Sequence, residues 1–515
     1  MKNSYSPSLL PILCTTFFLF GVSSCSGLRK ENGIKDMERT NVLFIVVDDM
    51  SPLAGCFGDP VAITPNIDRL AEGGLLFERA YCQAARCQPS RVSVMYGLRP
   101  NTSKIWDMGG GTIDTFLPDA ISIPRHFRDN GYHTMMYGKV FHHTELKHED
   151  SSFSEPPKIS RQSFDEQYTN TYTQKAEKGK FLSMEVGTEN SENYADQKVC
   201  RLATDALNRM KQSGKPFFLA VGFFKPHLPL CAPKKYWDLY TPESIPEPFP
   251  SQAPENAYPA TLKSTGDGVF GYTDIKPLLK KGEKRIIPHD KMMNLRHGYY
   301  ACISHTDAMI GRLLDQLDTL DLSKNTIVVL WADHSFHHGE YNLWNKGQNF
   351  EHTNRVPFII VAPGTTRPDS RTRALVELVD IYPTLIEICN LPTSNQNSDL
   401  EGTSLVPLMV QPNRPWKKAV FNQFPKEGNM GYAIKTDRYR YIEWRKHVYD
   451  KRTKTFTQGK VLGRELYDHN DDPYETVNIA GKADQQERIK QLSLQLEAGW
   501  RAAVPILTEK KLLNK

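Results

Sequence analysis

Past its first 25 residues the chain has no apolar run long enough to cross a bilayer as a helix. It has no internal repeat, so it is not a solenoid or a propeller of short units. Charge of one sign is scarce as well. There are 64 basic and 59 acidic residues, a net +5 spread over 515 positions. That balance gives no footprint for nucleic acid. An anionic small ligand stays possible if the positive charge is focused in one cleft. Cysteine is sparse: nine in all, none at zinc-ribbon spacing. Cys14 lies in the apolar leader, Cys25 ends it, and Cys87 stands in a motif taken up below. The widely spaced remainder is no disulfide framework and reads as small buried apolar residues.

What is present begins with an export signal. Lys2 gives a basic start, Leu9 to Val22 is mostly apolar, and Val22-Ser23-Ser24-Cys25 supplies small residues at a cleavage point. Cys25 after Ser23-Ser24 resembles a bacterial lipobox, which would make it the lipidated first residue of a mature chain in the periplasm or anchored to the outer membrane. Plain cleavage is the alternative. The expected organisation is signal 1–25, tether 26–40, a catalytic domain 41–410 and a C-terminal subdomain 411–515.

The length suits one large α/β domain with a smaller partner. Val42-Leu43-Phe44-Ile45-Val46-Val47 is a continuous β-branched and aromatic run, the pattern of a strand buried on both faces. Lys215–Gly222, Thr326–Trp331 and Phe358–Val361 repeat it. Helical patterns lie between: Thr64 as cap with Pro65 at the first position, Ile121 to Asn130 closed by Gly131, and Ala308 to Leu317. Alternation of this kind predicts a mainly parallel sheet covered by helices. Residues 144–195 are polar and 241–290 are proline-rich, so both read as long loops that shape a pocket or as plain surface insertions. From about 410, Ala419–Phe424, Gly431 to Trp444 and Glu465–Tyr467 read as antiparallel strands and Asp484 to Trp500 as a closing helix, a small α+β unit with an antiparallel sheet.

Two of the buried strands end in acids, Asp48-Asp49 and Asp333-His334. In open α/β sheets ligands bind beyond the carboxyl ends of the strands. Three carboxylates and an imidazole gathered there call for a divalent metal, unless they cap helices or pair with basic residues. Oxygen-rich ligation suggests Ca²⁺ or Mg²⁺, and His334 leaves Mn²⁺ or Zn²⁺ open. In Cys87-Gln88-Pro89-Ser90-Arg91, Pro89 and Ser90 suit a helix start. Cys87 would then sit where free N–H groups and Arg91 favour an anion, and a bare cysteine there would be an activated thiolate.

Cys87-x-Pro89-Ser90-Arg91 resembles the signature of the type I sulfatases. Four fixed residues at ordinary usage recur by chance on the order of once per few hundred chains this long. Asp48-Asp49, Thr64-Pro65-Asn66-Ile67-Asp68, Gly138-Lys139-Val140-Phe141-His142, Lys225-Pro226-His227, Asp333-His334, Gly339-Glu340 and Trp344-Asn345-Lys346 fall in that family's order. The Gly138–His142, Lys225–His227 and Asp333-His334 motifs together look most like the iduronate-2-sulfatase group and its bacterial relatives. The resemblance runs from about Asn41 to Asn478 and implies an alkaline-phosphatase-like fold. It implies that Cys87 is oxidised by a sulfatase-maturing enzyme to formylglycine (3-oxoalanine), whose hydrated aldehyde attacks sulfur. It implies that Asp48, Asp49, Asp333, His334 and residue 87 hold one metal, usually calcium. Arg91 and Lys139 would hold the hydrate, His227 or Lys346 would protonate the leaving oxygen, and His142 would help release sulfate.

The implied substrate is a sulfated oligosaccharide, with the 2-O-sulfate of a uronic acid from heparan or dermatan sulfate first. Carrageenan, fucan or chondroitin are the alternatives. A phosphate or phosphonate monoester hydrolase and an unmatured glycan-binding protein are the readings from other classes. Lys225, Trp106 and Tyr81 are expected near the sugar, and His305, Asp307, His337 and His338 are expected to be structural or to line the pocket. The family signature commonly continues to Thr-Gly-Arg, whereas here Tyr96-Gly97-Leu98 precedes Arg99, a departure at positions the maturing enzyme reads. The residues leave the oligomeric state open.

Overall fold

The computed structural model describes residues 39–109, 111–142, 150–160, 181–187, 193–263, 268–278, 286–393, 399–450 and 455–505. The leader, Cys25, the tether to residue 38, His143 and parts of the 144–195 stretch lie outside the described residues.

The β-branched runs form strands where the alternation places them. Strands β1 (Asn41–Val47), β2 (Leu75–Phe77), β3 (His133–Gly138), β4 (Phe217–Phe223), β5 (Thr326–Ala332), β6 (Phe358–Val361) and β7 (Ser370–Thr372) make one sheet in the order β7-β2-β6-β5-β1-β4-β3. Every residue of β1, β4 and β5 is buried, which is why these strands show no polar alternation. β3, β4, β1 and β5 are mutually parallel. β6 runs antiparallel to both β5 and β2, although its sequence is as apolar as a parallel strand. The reason lies in its connection. A parallel return needs a crossover, usually a helix. Residues 333–357 instead hold no helix longer than four residues, only a 3₁₀ turn at Glu340–Asn342, the helix Glu351–Asn354 and the two-residue strand Arg355–Val356, and the rest of that loop carries site residues.

Helices α1 (Pro65–Glu72), α2 (Cys87–Tyr96), α3 (Ala195–Ser213) and α4 (His289–Thr319) pack around this sheet. Pro65 takes the first position of α1 as expected, but Thr64 does not cap the helix with its side chain. Its hydroxyl accepts from Gly55 N at 3.0 Å. The cap comes from α4, where Asp307 accepts from Asn66 N at 3.0 Å and Ile67 N at 2.8 Å. A carboxylate on two free N–H groups fits the positive end of a helix. The expected helix 121–130 spans Ile123–Asp129, with Ser122 accepting from Arg125 N. Residues 241–278 hold only 3₁₀ turns among the described residues.

The C-terminal part forms a four-stranded antiparallel sheet, β8 (Ala419–Lys426), β9 (Asn429–Thr436), β10 (Tyr439–Asp450) and β11 (Thr455–Asp468), followed by α5 (Gln486–Ala498). Asp437 and Arg438 make the turn that divides the 431–444 stretch into β9 and β10. Buried Arg440 on β10 reaches the long loop after β5. It donates to Asn349 O at 3.0 Å and pairs with Glu351 at 2.5 Å and Glu475 at 2.8 Å.

One close backbone contact sets the exit from β3. Gly138 has φ +81, and a Cβ on it would lie 1.9 Å from Gly222 O. Only glycine allows the two chains to approach there while Lys139 N donates to Gly222 O at 2.9 Å. Gly138→Ala is therefore expected to lower stability by at least about 2 kcal/mol, from left-handed strain plus a backbone clash. Thermal unfolding of the variant checks this, and a midpoint equal to the parent's contradicts it.

Candidate active site

β1 and β5 lie side by side and end together, Val47 opposite Ala332. That register brings Asp48, Asp49, Asp333 and His334 to one point. Asp49 N donates to Asp333 Oδ1 at 3.1 Å, and His334 N to the same oxygen at 3.0 Å. Asp49 turns back with φ 60, and its carbonyl accepts from Tyr299 Oη on α4 at 2.7 Å. α2 begins at Cys87, and all of its residues are buried. Ser90 Oγ donates to Asp333 O at 2.5 Å and so pins the helix start to the end of β5.

Arg91 is the centre of the charge arrangement. It is 1% exposed and donates to Asp333 Oδ2 at 2.9 Å, Asp48 Oδ1 at 2.9 Å, Lys139 O at 2.5 Å and Val140 O at 2.9 Å. Lys139 Nζ also pairs with Asp48. Lys346 is wholly buried, with Nζ 2.6 Å from Asp49 Oδ1 and 3.0 Å from Cys87 Sγ. His334 Nε2 lies 3.3 Å and Lys139 Nζ 3.8 Å from the same sulfur. Two ammonium donors and an imidazole nitrogen thus converge on the side chain of residue 87. His227 stands at the edge, 29% exposed, with Nδ1 at 2.6 Å from Leu228 O and Nε2 at 3.7 Å from Asp49 Oδ2.

Burial opposes every one of these charges, and the neighbours decide the sign. Against its burial, Asp48 is held well below the usual carboxylate range by Lys139, His227, Arg91 and Lys346. Asp333 is also lowered against burial, chiefly by Arg91. Asp49 goes the other way. Its burial, helped by Asp48 and Asp333, outweighs Lys346 and His334 and raises it. Burial takes His334 down to about 4, so its imidazole is neutral and free to ligate. Lys346 stays charged because Asp49, Cys87, Asp48 and Asp333 outweigh its burial. The Cys87 thiol is pushed up to about 12 by burial, against the pull of Lys139 and Lys346. The expectation of an unmodified, activated thiolate at a helix start is therefore corrected: an unaltered Cys87 here is a protonated thiol.

The donor set fits a cation. Asp48, Asp49 and Asp333 offer oxygens within 4.8 Å of one another, as do Cys87, Asp333 and His334 for their ligand atoms, and Asp49, Cys87 and His227. Hard carboxylate oxygens with one neutral imidazole suit Ca²⁺ or Mg²⁺ and tolerate Mn²⁺. The raised Asp49 marks the carboxylate that the fixed cations serve least.

Other expected residues have different surroundings. His142 is buried in the segment leaving β3. Lys225 turns onto the main chain, donating to His227 O at 2.8 Å and Pro229 O at 2.6 Å, and so shapes the His227 loop. Trp106 packs with Met430 and Tyr432 of the C-terminal sheet and donates to Asn101 Oδ1 at 3.0 Å. Tyr81 donates to Glu351 at 2.8 Å and packs with Leu375 and Val420. These aromatics join the C-terminal sheet to the main body, a role that flanking the motif does not reveal. Two residues went unnoticed in the sequence. Arg86, the residue before Cys87, pairs with Asp107 at 3.2 Å. Lys426, at the end of β8, feels Arg86 and is taken down to about 7, mainly by burial. Lys426 and Asp107 line a cleft of about 1100 Å³, walled by the proline-rich loop, residues 339–345 and the β8–β9 turn. Only the meeting of distant segments makes this pair visible.

A family model described as sulfatase matches residues 40–391, and one described as N-sulphoglucosamine sulphohydrolase, C-terminal, matches residues 339–501. Human iduronate 2-sulfatase is 31% identical over 535 aligned residues, covering 89% of this chain and 94% of its own. A solved structure of a protein in complex with its substrate D-glucosamine-2-N,6-O-disulfate aligns with a TM-score of 0.68 and 23% identity, over 89% of this chain and 97% of that one. The phosphonate monoester hydrolase of Agrobacterium radiobacter aligns with a TM-score of 0.70 and 20% identity, over 90% and 96%.

Replacing Arg91 by Ala would strip Asp333 of its guanidinium and leave Asp48 with Lys139 alone. Loss of about 3–5 kcal/mol is expected, from uncompensated buried charge. Denaturant unfolding of Arg91→Ala measures it, and a change under about 0.5 kcal/mol would refute the reading of Arg91 as the pivot.

Proposed function

This chain belongs to the sulfatase family and is a sulfuric ester hydrolase, and from that premise we propose that it removes sulfate from a sulfated glycan, with the 2-O-sulfate of a uronic acid as the ester cleaved. The convergence of Lys346, His334 and Lys139 on residue 87, beside three carboxylates, carries the reading. The uronic acid is supported by the likeness to iduronate 2-sulfatase over nearly the whole of both chains. It is also supported by chemistry: a uronate brings a second anion, and Lys426, on the wall of the cleft, stands near enough to Arg86, the residue before Cys87, to feel its charge, with Asp107 paired to that arginine.

Family membership implies formylglycine at residue 87 and a divalent metal, for which Asp48, Asp49, Asp333, His334 and residue 87 are the holders. When present, the metal offsets charge on the sulfuryl oxygens and the matured residue supplies the attacking oxygen. The other residues act around them. Lys346, buried and charged, places its ammonium on the reacting side chain. Lys139 sits on the opposite carboxylate, Asp48, and steadies the same position. Arg91 orients Asp48 and Asp333 and fixes the Lys139–Val140 main chain. His227 is the half-buried member. Burial takes it down to about 3, so its ring is neutral. With the one ring proton on Nδ1 donated to Leu228 O, Nε2 is an acceptor, and the proton for the departing sugar oxygen comes from the charged Lys346 ammonium. His142 is assigned to sulfate release. The Cys25 lipid anchor, export to the periplasm or outer membrane, and a maturing enzyme as partner belong to the same proposal and rest on the leader and the signature.

The likeness to a phosphonate monoester hydrolase concerns the fold alone. A substrate panel decides. Protein from a host with a sulfatase-maturing enzyme is expected to show the thiol-to-aldehyde mass change at residue 87 and to release sulfate from 2-O-sulfated uronate disaccharides. Unmodified Cys87 with no sulfate released from any substrate moves the assignment to glycan binding, and faster turnover of phosphate or phosphonate esters moves it to their hydrolases. Lys346→Ala in matured protein is expected to lower kcat about 10²–10⁴-fold with a smaller change in KM. Chelation is expected to abolish activity and Ca²⁺ to restore it.

Lys426 adds a pH dependence. Its charged form, disfavoured by burial and by Arg86, is present below about pH 7 and lost above it. KM for a uronate substrate is expected to rise as pH passes 7 while kcat holds, and Lys426→Met should remove that rise. A pH-independent KM in the parent would eliminate Lys426 as the carboxylate partner.

A further inference from the structure

The loop after β5 carries a second cluster that the sulfatase chemistry does not use. Among the described residues, His337, Glu340 and His352 bring one ring nitrogen each and a carboxylate oxygen within 4.8 Å of one another. His337 is 0% exposed, and neither of its ring nitrogens has a hydrogen-bond partner. His338, 2% exposed, is in the same condition, with Nδ1 at 3.9 Å from Glu340 Oε2. His337 and His352 stack with ring centres 4.9 Å apart. Buried polar atoms left without partners cost about 1–3 kcal/mol each and call for an explanation. The sequence reading of His337 and His338 as pocket lining or structural supplies no partner for four ring nitrogens.

We propose that His337, Glu340 and His352 form a second metal site, separate from the Asp48–Asp49–Asp333 group, that takes a transition-metal ion of the zinc type. Two imidazoles and one carboxylate are a donor set for such an ion, with His338 placed as a fourth. Glu340 is already aimed by an outer partner. Arg296 Nη1 holds Oε1 at 2.8 Å, while Oε2 faces the rings, 3.3 Å from His352 Nε2. An outer contact that fixes a ligating carboxylate is usual at metal sites. His352 Nε2 also lies 3.1 Å from Phe336 O, and His338 N donates to Glu340 Oε2 at 2.6 Å.

The ion would staple the loop that presents His334 and Lys346 to residue 87. That loop is otherwise closed by His337 N to Asn345 O and Gly339 N to Leu343 O, each 2.9 Å. Tyr299 links the two centres: its ring lies 3.8 Å from that of His338, and its hydroxyl donates to Asp49 O. The role is structural, so the site needs no open coordination position.

Zn²⁺ tests this. Crystals of the full chain equilibrated with Zn²⁺ in excess Ca²⁺ are measured on both sides of the zinc absorption edge. The calcium occupies the carboxylate-rich centre, which an imidazole site does not favour. An anomalous peak among His337, Glu340 and His352 is expected, and no peak there overturns the proposal. In solution under the same excess of Ca²⁺, His337→Ala and His352→Ala are expected to bind one Zn²⁺ fewer per chain than the parent. Equal stoichiometry overturns the proposal. If both variants fail to fold, the anomalous measurement on the parent decides alone.

Discussion

A single buried guanidinium holds this architecture in register. Arg91 joins the end of β1 through Asp48, the end of β5 through Asp333, and the chain leaving β3 through two carbonyls. Taking charges out of water costs several kcal/mol per ion, recovered only when geometry and hydrogen bonding are complete. Here both carboxylates and the guanidinium fork are satisfied, and Ser90, on the same helix, fixes the backbone of Asp333. The network therefore works less as a source of stability than as a gauge: the three strand ends and α2 can meet in one arrangement only.

That gauge explains which parts of the molecule are legible in the sequence. β1, β4 and β5 are read from their unbroken apolar runs because strands covered on both faces leave no other pattern. Asp48, Asp49, Asp333 and His334 are read because they follow those runs directly. The antiparallel turn of β6 is not legible, since an apolar strand reads the same in either direction and only the missing crossover helix betrays it. Asp307 as the cap of α1 was also hidden. A cap supplied from 240 residues away has no local signature, while Thr64 has the local signature and uses its hydroxyl elsewhere.

Lys225, Trp106 and Tyr81 have partners that their place beside the motifs does not announce. Sequence proximity to motif residues is what puts them near the sugar in the sequence reading. A side chain's neighbours are set by what the rest of the fold leaves unsatisfied, and these three are claimed by carbonyls and by the C-terminal sheet. Arg86 and Lys426 have the opposite history. They are 340 residues apart, belong to no motif, and meet only because β8 ends beside the start of α2.

The division of labour between fold and specificity follows from this. The reaction centre is built on strand ends and on one buried helix, where main-chain hydrogen bonds and packing leave little freedom. A phosphonate hydrolase keeps the same fold at 20% identity, so the fold does not choose the chemistry. The residue at position 87 and the charges within reach of it do. The cleft that would choose the sugar is walled by the proline-rich loop, residues 339–345 and the β8–β9 turn. None of these segments contributes to the central sheet. The proline-rich loop and the β8–β9 turn carry no partner of Arg91, which is the physical reason that reaction class is easier to read from this chain than the glycan it acts on.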